Sequence, residues 1–189
     1  AVLPFVVAFA FIHPSYDDAG FLIEAHARGV AGSQLFWYRT FTGRYTSNAI
    51  VTLLSYTIHH LWLYRLACLG VFAALLGATF HFLRVVLPAP RLTAAALTAL
   101  VVAAFLAITP SAAEGLYWLT GTATYTLGSA FMLMAVAGVL APEEPGRRTW
   151  PTALWIILAV GMSEVTLLLL CGFLAIVAAG DLLRSRRIS

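Results

Sequence analysis

Long apolar runs separated by short polar breaks set the layout of this chain. Ala1 to Ile12 is apolar throughout, yet shorter than the roughly 20 residues that cross a bilayer. Pro14 ends that run. From Pro14 to about His60 the chain is too polar to lie in hydrocarbon. Within it, Phe21, Leu22 and Ala25 share a face, and Glu24 and Arg28 pair at i and i+4. A short interfacial helix is expected from Ala19 to Arg28, capped by Asp17 or Asp18 and broken by Gly29 and Gly32. Phe36-Trp37-Tyr38 then supplies headgroup-level aromatics.

A second helix should start at Thr46-Ser47-Asn48. Its apolar face is Ile50, Leu53, Leu54, Ile58 and Leu61, and its polar stripe Asn48, Thr52, Ser55 and His59. It can run on into a span from Leu61 to Leu87, where Arg65 can snorkel outward. Pro88 and Pro90 turn the chain into a third segment, Leu92 to Thr109, and a fourth ends near Leu140. Trp150 to Leu183 is too long for one ordinary span and is interrupted at Gly161-Met162-Ser163-Glu164. The pattern thus predicts about six hydrophobic segments in an all-α polytopic bundle, with two interfacial helices between the first and second.

Composition agrees. The chain is 61% hydrophobic and 10% charged, where soluble domains carry about 25% charged residues. Every basic residue is arginine, and the sequence pI is near 9.1. In a soluble protein that would suggest nucleic acid; here the arginines sit mainly in short loops, where topology explains them and no nucleic-acid partner is needed. Two apolar segments meeting at Ser163-Glu164 place Arg84, Arg91, Arg147, Arg148, Arg184, Arg186 and Arg187 on the cytoplasmic side. Asp17, Asp18, Glu114 and Glu164 then face outward. Cys68 and Cys171 lie in apolar segments and read as small buried hydrophobes. The first run has neither a starting methionine nor a basic flank, so the chain is expected to be a fragment of a longer protein.

The candidate chemistry is acidic and sits beside the membrane. Adjacent Asp17 and Asp18 can bind a divalent cation, take a proton from a hydroxyl, or cap the following helix. Arg44 follows a glycine in a loop on the same side. Glu164 interrupts an apolar stretch, where an acidic residue is functional by default. Tyr125 faces the bundle and His59 can touch a ligand; for His59 an amphipathic interfacial role is equally available.

An apolar span followed by Tyr16-Asp17-Asp18 and an interfacial helix resembles the GT-C superfamily of membrane glycosyltransferases. The pieces Phe41-Thr42-Gly43-Arg44-Tyr45, Tyr117-Trp118-Leu119-Thr120-Gly121 and Ser163-Glu164-Val165-Thr166 are similar to bacterial members, as the N-terminal part of such a chain. The resemblance implies an enzyme of the bacterial inner membrane. It would take a sugar from a polyprenyl-phosphate donor and pass it, with inversion, to a glycan, lipid or protein acceptor on the outer face. Asp17 would be the base and Asp18 an orienting group or ligand of a divalent cation, Mg or Mn, where one is used. Arg44, Glu164, Tyr125 and His59 would contact substrates. A transporter or complex subunit using the acidic pair as an ion site is the alternative; it would place acids at mid-bilayer and carry an internal repeat, and neither is seen.

Overall fold

The computed structural model describes residues 3–142 and 149–185. Every regular element among them is helical. The first apolar run forms α1, Leu3–Ala8, and a 3₁₀ turn at Phe9–Phe11. The outer polar region forms α2, Tyr16–Thr40, and α3, Tyr45–Ser55. Then come α4, Leu61–Val86, and α5, Arg91–Ile108. A fourth long helix, Leu119–Leu140, is built from α6, Leu119–Gly121, a wide π turn at Thr122–Thr126, and α7, Leu127–Leu140. It is followed by α8, Trp150–Val160, and α9, Glu164–Ser185.

Four of these helices, α4, α5, Leu119–Leu140 and α9, are long and apolar enough to cross a membrane. At about 1.5 Å per residue, the 11 residues of α8 fall well short of a bilayer core of about 30 Å. The tight turn between α4 and α5, and the turn at Gly161–Ser163 between α8 and α9, make successive segments antiparallel. α9 folds back against α7, where Ala135, Ala159 and Leu170 form one buried cluster. The interruption read in the sequence is therefore a reversal. Arg147, Arg148, Arg186 and Arg187 lie outside the described residues.

α4 is the axis. Tyr64, Cys68, Phe72 and Leu75 recur every three or four residues, so one stripe meets Val102 and Leu106 of α5 and Leu119 and Ala130 of the fourth long helix. Phe9 closes the stack, its ring 5.9 Å from Phe72 and edge-on to Tyr117 at 5.0 Å. Leu100, Phe105, Leu168 and Ile176 remain exposed, the arrangement of a bundle whose outside meets lipid. α7 and α8 approach through a glycine: a β-carbon at Gly138 would press on the Thr152 side chain.

The outer region departs from its expected form in five ways. α2 starts at Tyr16 on a Ser15 cap, not at Ala19, and continues through Gly32 to Thr40. Only Gly29 interrupts it, as a kink with φ 70°, which glycine adopts at little cost. Trp37 stacks on Phe21 at 4.5 Å instead of joining a headgroup belt. α3 does not run into α4, because the Tyr56–His59 turn and an extended His60 separate them. Its polar stripe is also the inward one: Asn48, Thr52 and Ser55 are buried while Leu53 is exposed. Beside a membrane the outside is apolar, so the polar face turns in. Arg65, expected to snorkel, instead donates from Nε to the Ile12 carbonyl at 3.2 Å, tying down the end of the first segment.

This arrangement has a direct topological test. In a background lacking Cys171, single cysteines at Gly43 and Ala113 should react with an impermeant thiol reagent from one side. A cysteine at Pro88 should react only from the other. Labelling of all three from one side would contradict the antiparallel order.

Candidate active site

The two adjacent aspartates have separate fates, because successive helical residues point about 100° apart. Asp18 is fully buried. Its Oδ2 accepts from the Ser15 backbone N–H at 2.9 Å and from the Tyr64 hydroxyl at 2.8 Å. Its Oδ1 accepts from the Thr120 backbone N–H at 2.9 Å and the Thr120 hydroxyl at 2.6 Å. Tyr64 in turn accepts from the Leu119 N–H at 3.1 Å. Every partner donates, which is the acceptor-only pattern of a carboxylate. One side chain thus joins the start of α2, the outer part of α4 and the start of the fourth long helix.

Asp17 is exposed and lines a cavity of about 450 Å³ at the aspartate end of the bundle. Phe21, Trp37 and Phe41 give that cavity an aromatic wall, with Trp37 stacked on Phe21 and edge-on to Phe41 at 5.8 Å. Trp118, Thr120 and Tyr125 face it from the fourth long helix and the loop before it, and Arg44 from the loop before α3. The indole N–H groups of Trp37 and Trp118 have no acceptor among the described residues.

Two wide turns flank Trp118–Gly121 on the fourth-helix side of the cavity, and the second supplies part of its wall. Ala113–Tyr117 and Thr122–Thr126 are both π turns, local insertions that recur at functional sites. They are clasped together by the Thr126 hydroxyl donating to the Gly115 carbonyl. Gly121 must be glycine here, since a β-carbon would overlap the Glu114 carbonyl and the Trp118 ring. The second turn carries Thr124 and Tyr125 to the cavity, and Thr124 bonds Ser47 of α3 at 2.7 Å.

Arg44 and Glu164, distant in sequence, form a bidentate ion pair. Arg44 Nε lies 2.9 Å and Nη2 2.6 Å from Glu164 Oε2. The hydrogen bond to Glu164 pushes the Arg44 pKa above its ordinary value. The pair is held by a second junction: the Thr46 and Ser47 N–H groups both donate to the Gly161 carbonyl, at 3.0 and 3.1 Å. A β-carbon at Gly161 would overlap the Thr46 hydroxyl and the Tyr45 ring, so the turn before α9 seats directly on the start of α3.

The fold therefore brings Asp17, Arg44 and Tyr125 to one cavity, with Glu164 behind Arg44 and Asp18 beneath the floor. His59 is not part of it; its ring stands 5.7 Å from His26 on the turn after α3. Both oxygens of Asp18, read from the sequence as a metal ligand, already serve protein donors. A divalent cation takes several oxygen ligands, and Asp17 is the one carboxylate lining the cavity among the described residues. Among the described residues, the cavity lining alone does not make up a divalent site. The sequence reading missed Tyr64 and Thr120 as holders of Asp18. A buried tyrosine four residues before Cys68 on the core stripe was the available signal for the first.

Two measurements check this geometry. Asp18→Asn replaces two acceptors by an amide that faces donors, so it should lower stability by about 2–4 kcal/mol, read as a large fall in thermal midpoint in detergent. Asp17→Asn should change stability by less than about 0.5 kcal/mol. Equal effects would mean that the two carboxylates are not divided as described. A double-mutant cycle of Arg44→Ala with Glu164→Gln should give a coupling below about 1 kcal/mol, because the pair is partly exposed at 27% and 59%. A much larger coupling would make the pair a structural lock.

Comparison with known protein families, with curated proteins and with solved structures finds no match.

Proposed function

We propose that this chain is the membrane part of a glycosyltransferase. It would move a sugar from a polyprenyl-phosphate donor to an acceptor hydroxyl on the outer side of a bacterial inner membrane. The observation that carries the reading is the division of labour in the acidic pair. Asp18 is consumed in holding three elements together, while its neighbour Asp17 has no hydrogen-bond partner among the described residues and lines an aromatic-walled cavity that also holds Arg44. The quoted pieces around Arg44, Trp118 and Glu164 converge on that cavity.

Transfer needs a base for the acceptor and positive charge for the departing phosphate. Asp17 takes the acceptor proton as the acceptor oxygen bonds to the anomeric carbon. The bond from that carbon to the phosphate oxygen breaks on the opposite face, and the electron pair leaves with polyprenyl phosphate. One displacement inverts the configuration. Arg44 supports the phosphate charge; its exposed pairing with Glu164 is weak enough for a phosphate dianion to compete for it. Trp37 and Trp118 line the cavity and offer stacking surface to the sugar. An ion site built on both aspartates has less support, since Asp18 has no oxygen to spare.

The reading is tested by sugar transfer from a synthetic polyprenyl-phosphate donor, using the protein at its full length. Asp17→Asn is nearly isosteric and should cost about 10²- to 10⁴-fold in turnover, with donor binding and thermal midpoint retained. Near-normal turnover in that variant would overturn the assignment of the base.

A further inference from the structure

The opposite end of the bundle carries a second constellation. On α4, Ala74, Gly77 and Ala78 leave a gap beside Phe131 of α7 and Trp155 of α8. The gap is an apolar crevice of about 320 Å³, walled by the Phe131 and Trp155 rings at 5.5 Å. His81 stands at its mouth and also lines a second hollow of about 520 Å³ with Arg84 and Arg91. The two hollows share His81 as a lining residue. Neither arginine has an acidic partner among the described residues.

Small residues facing lipid are no site by themselves, and arginines at a helix end are expected from topology alone. Their conjunction is more specific. An apolar slot between helices adjoins, through His81, a hollow lined by two guanidinium groups that have no acidic partner among the described residues. A soluble anion would use only the second half of that arrangement, and an uncharged lipid only the first. We infer that this is a binding site for an anionic phospholipid, with an acyl chain in the crevice between α4, α7 and α8. Its phosphate would lie between Arg84 and Arg91. Basic pockets between membrane helices bind such headgroups through charge and bidentate hydrogen bonding. The assignment does not depend on the glycosyltransferase reading, since it uses none of the residues at the aspartate end.

The test is lipid retention by the purified chain in detergent micelles, read by native mass spectrometry. The probes are dioleoyl phosphatidylglycerol and dioleoyl phosphatidylcholine, with inorganic phosphate as competitor. Phosphatidylglycerol should bind more tightly than phosphatidylcholine. Arg84→Gln combined with Arg91→Gln should weaken it about 30-fold, at about 5-fold per charge. Gly77→Phe fills the crevice where a β-carbon meets nothing within 4 Å, so the protein should fold normally and lose affinity for both lipids. Equal binding of the two lipids by the wild type would overturn the inference. So would displacement by inorganic phosphate at equal concentration, or an unchanged lipid affinity in Gly77→Phe.

Discussion

A carboxylate with no exposed surface, Asp18, fixes the end of this bundle where the candidate site lies. Removing an ionised group from water costs several kcal/mol unless its lone pairs are filled. Here four donors from three separate parts of the chain fill them: Ser15, Tyr64, and Thr120 through both its N–H and its hydroxyl. The requirement works in both directions. Asp18 is tolerable only if α2, α4 and the fourth long helix meet at that point, and their meeting there places every wall of the cavity. Lose the carboxylate, and the Thr120 and Ser15 N–H groups are left facing an apolar interior.

The consequences spread along the helices. With Asp18 directed inward, helical geometry leaves Asp17 on the cavity side. Thr120 held at the floor brings Trp118 to the wall. The wide turn at Thr122–Thr126 then shifts the register of the fourth helix so that Tyr125 faces the same space. Across from it, the Gly161 carbonyl capping the start of α3 brings Glu164 to Arg44. The site is assembled from loops and helix ends, with Asp18 joined to α4 through Tyr64 and the start of α3 joined to the turn before α9 through Gly161. A rigid aromatic pocket can form there despite the short helices around it.

Much of the frame was legible from hydropathy alone. α5 lies within one residue of its expected limits, and the break before Glu164 proved to be a reversal, because apolar length and arginine placement are strong physical constraints on a membrane chain. The outer region was harder to read. Polar residues there could have faced water, and Asn48, Thr52 and Ser55 instead face the interior. The Gly29 kink and the extended course of α2 depend on packing against α3 that no local pattern encodes. In the site, Asp17, Arg44, Tyr125 and Glu164 were found by chemical type and placement. The pairing of Arg44 with Glu164 joins residues 120 positions apart, and no spacing rule reaches that far. Nor does sequence say which of two adjacent aspartates turns inward; that depends on where Tyr64 and Thr120 lie.

The aspartate end and the arginine end of the bundle thus differ in the chemistry of their cavities. At the first, a carboxylate and a guanidinium share an aromatic cavity; at the second, only positive charge adjoins an apolar slot. A density map of the full-length protein with a bound polyprenyl-phosphate analogue distinguishes them most directly. The expected result is phosphate density within hydrogen-bond reach of Arg44, with the guanidinium turned away from Glu164 and the lipid head facing Asp17. An analogue bound elsewhere, with the Arg44–Glu164 pair intact and the Asp17 cavity empty, would contradict it.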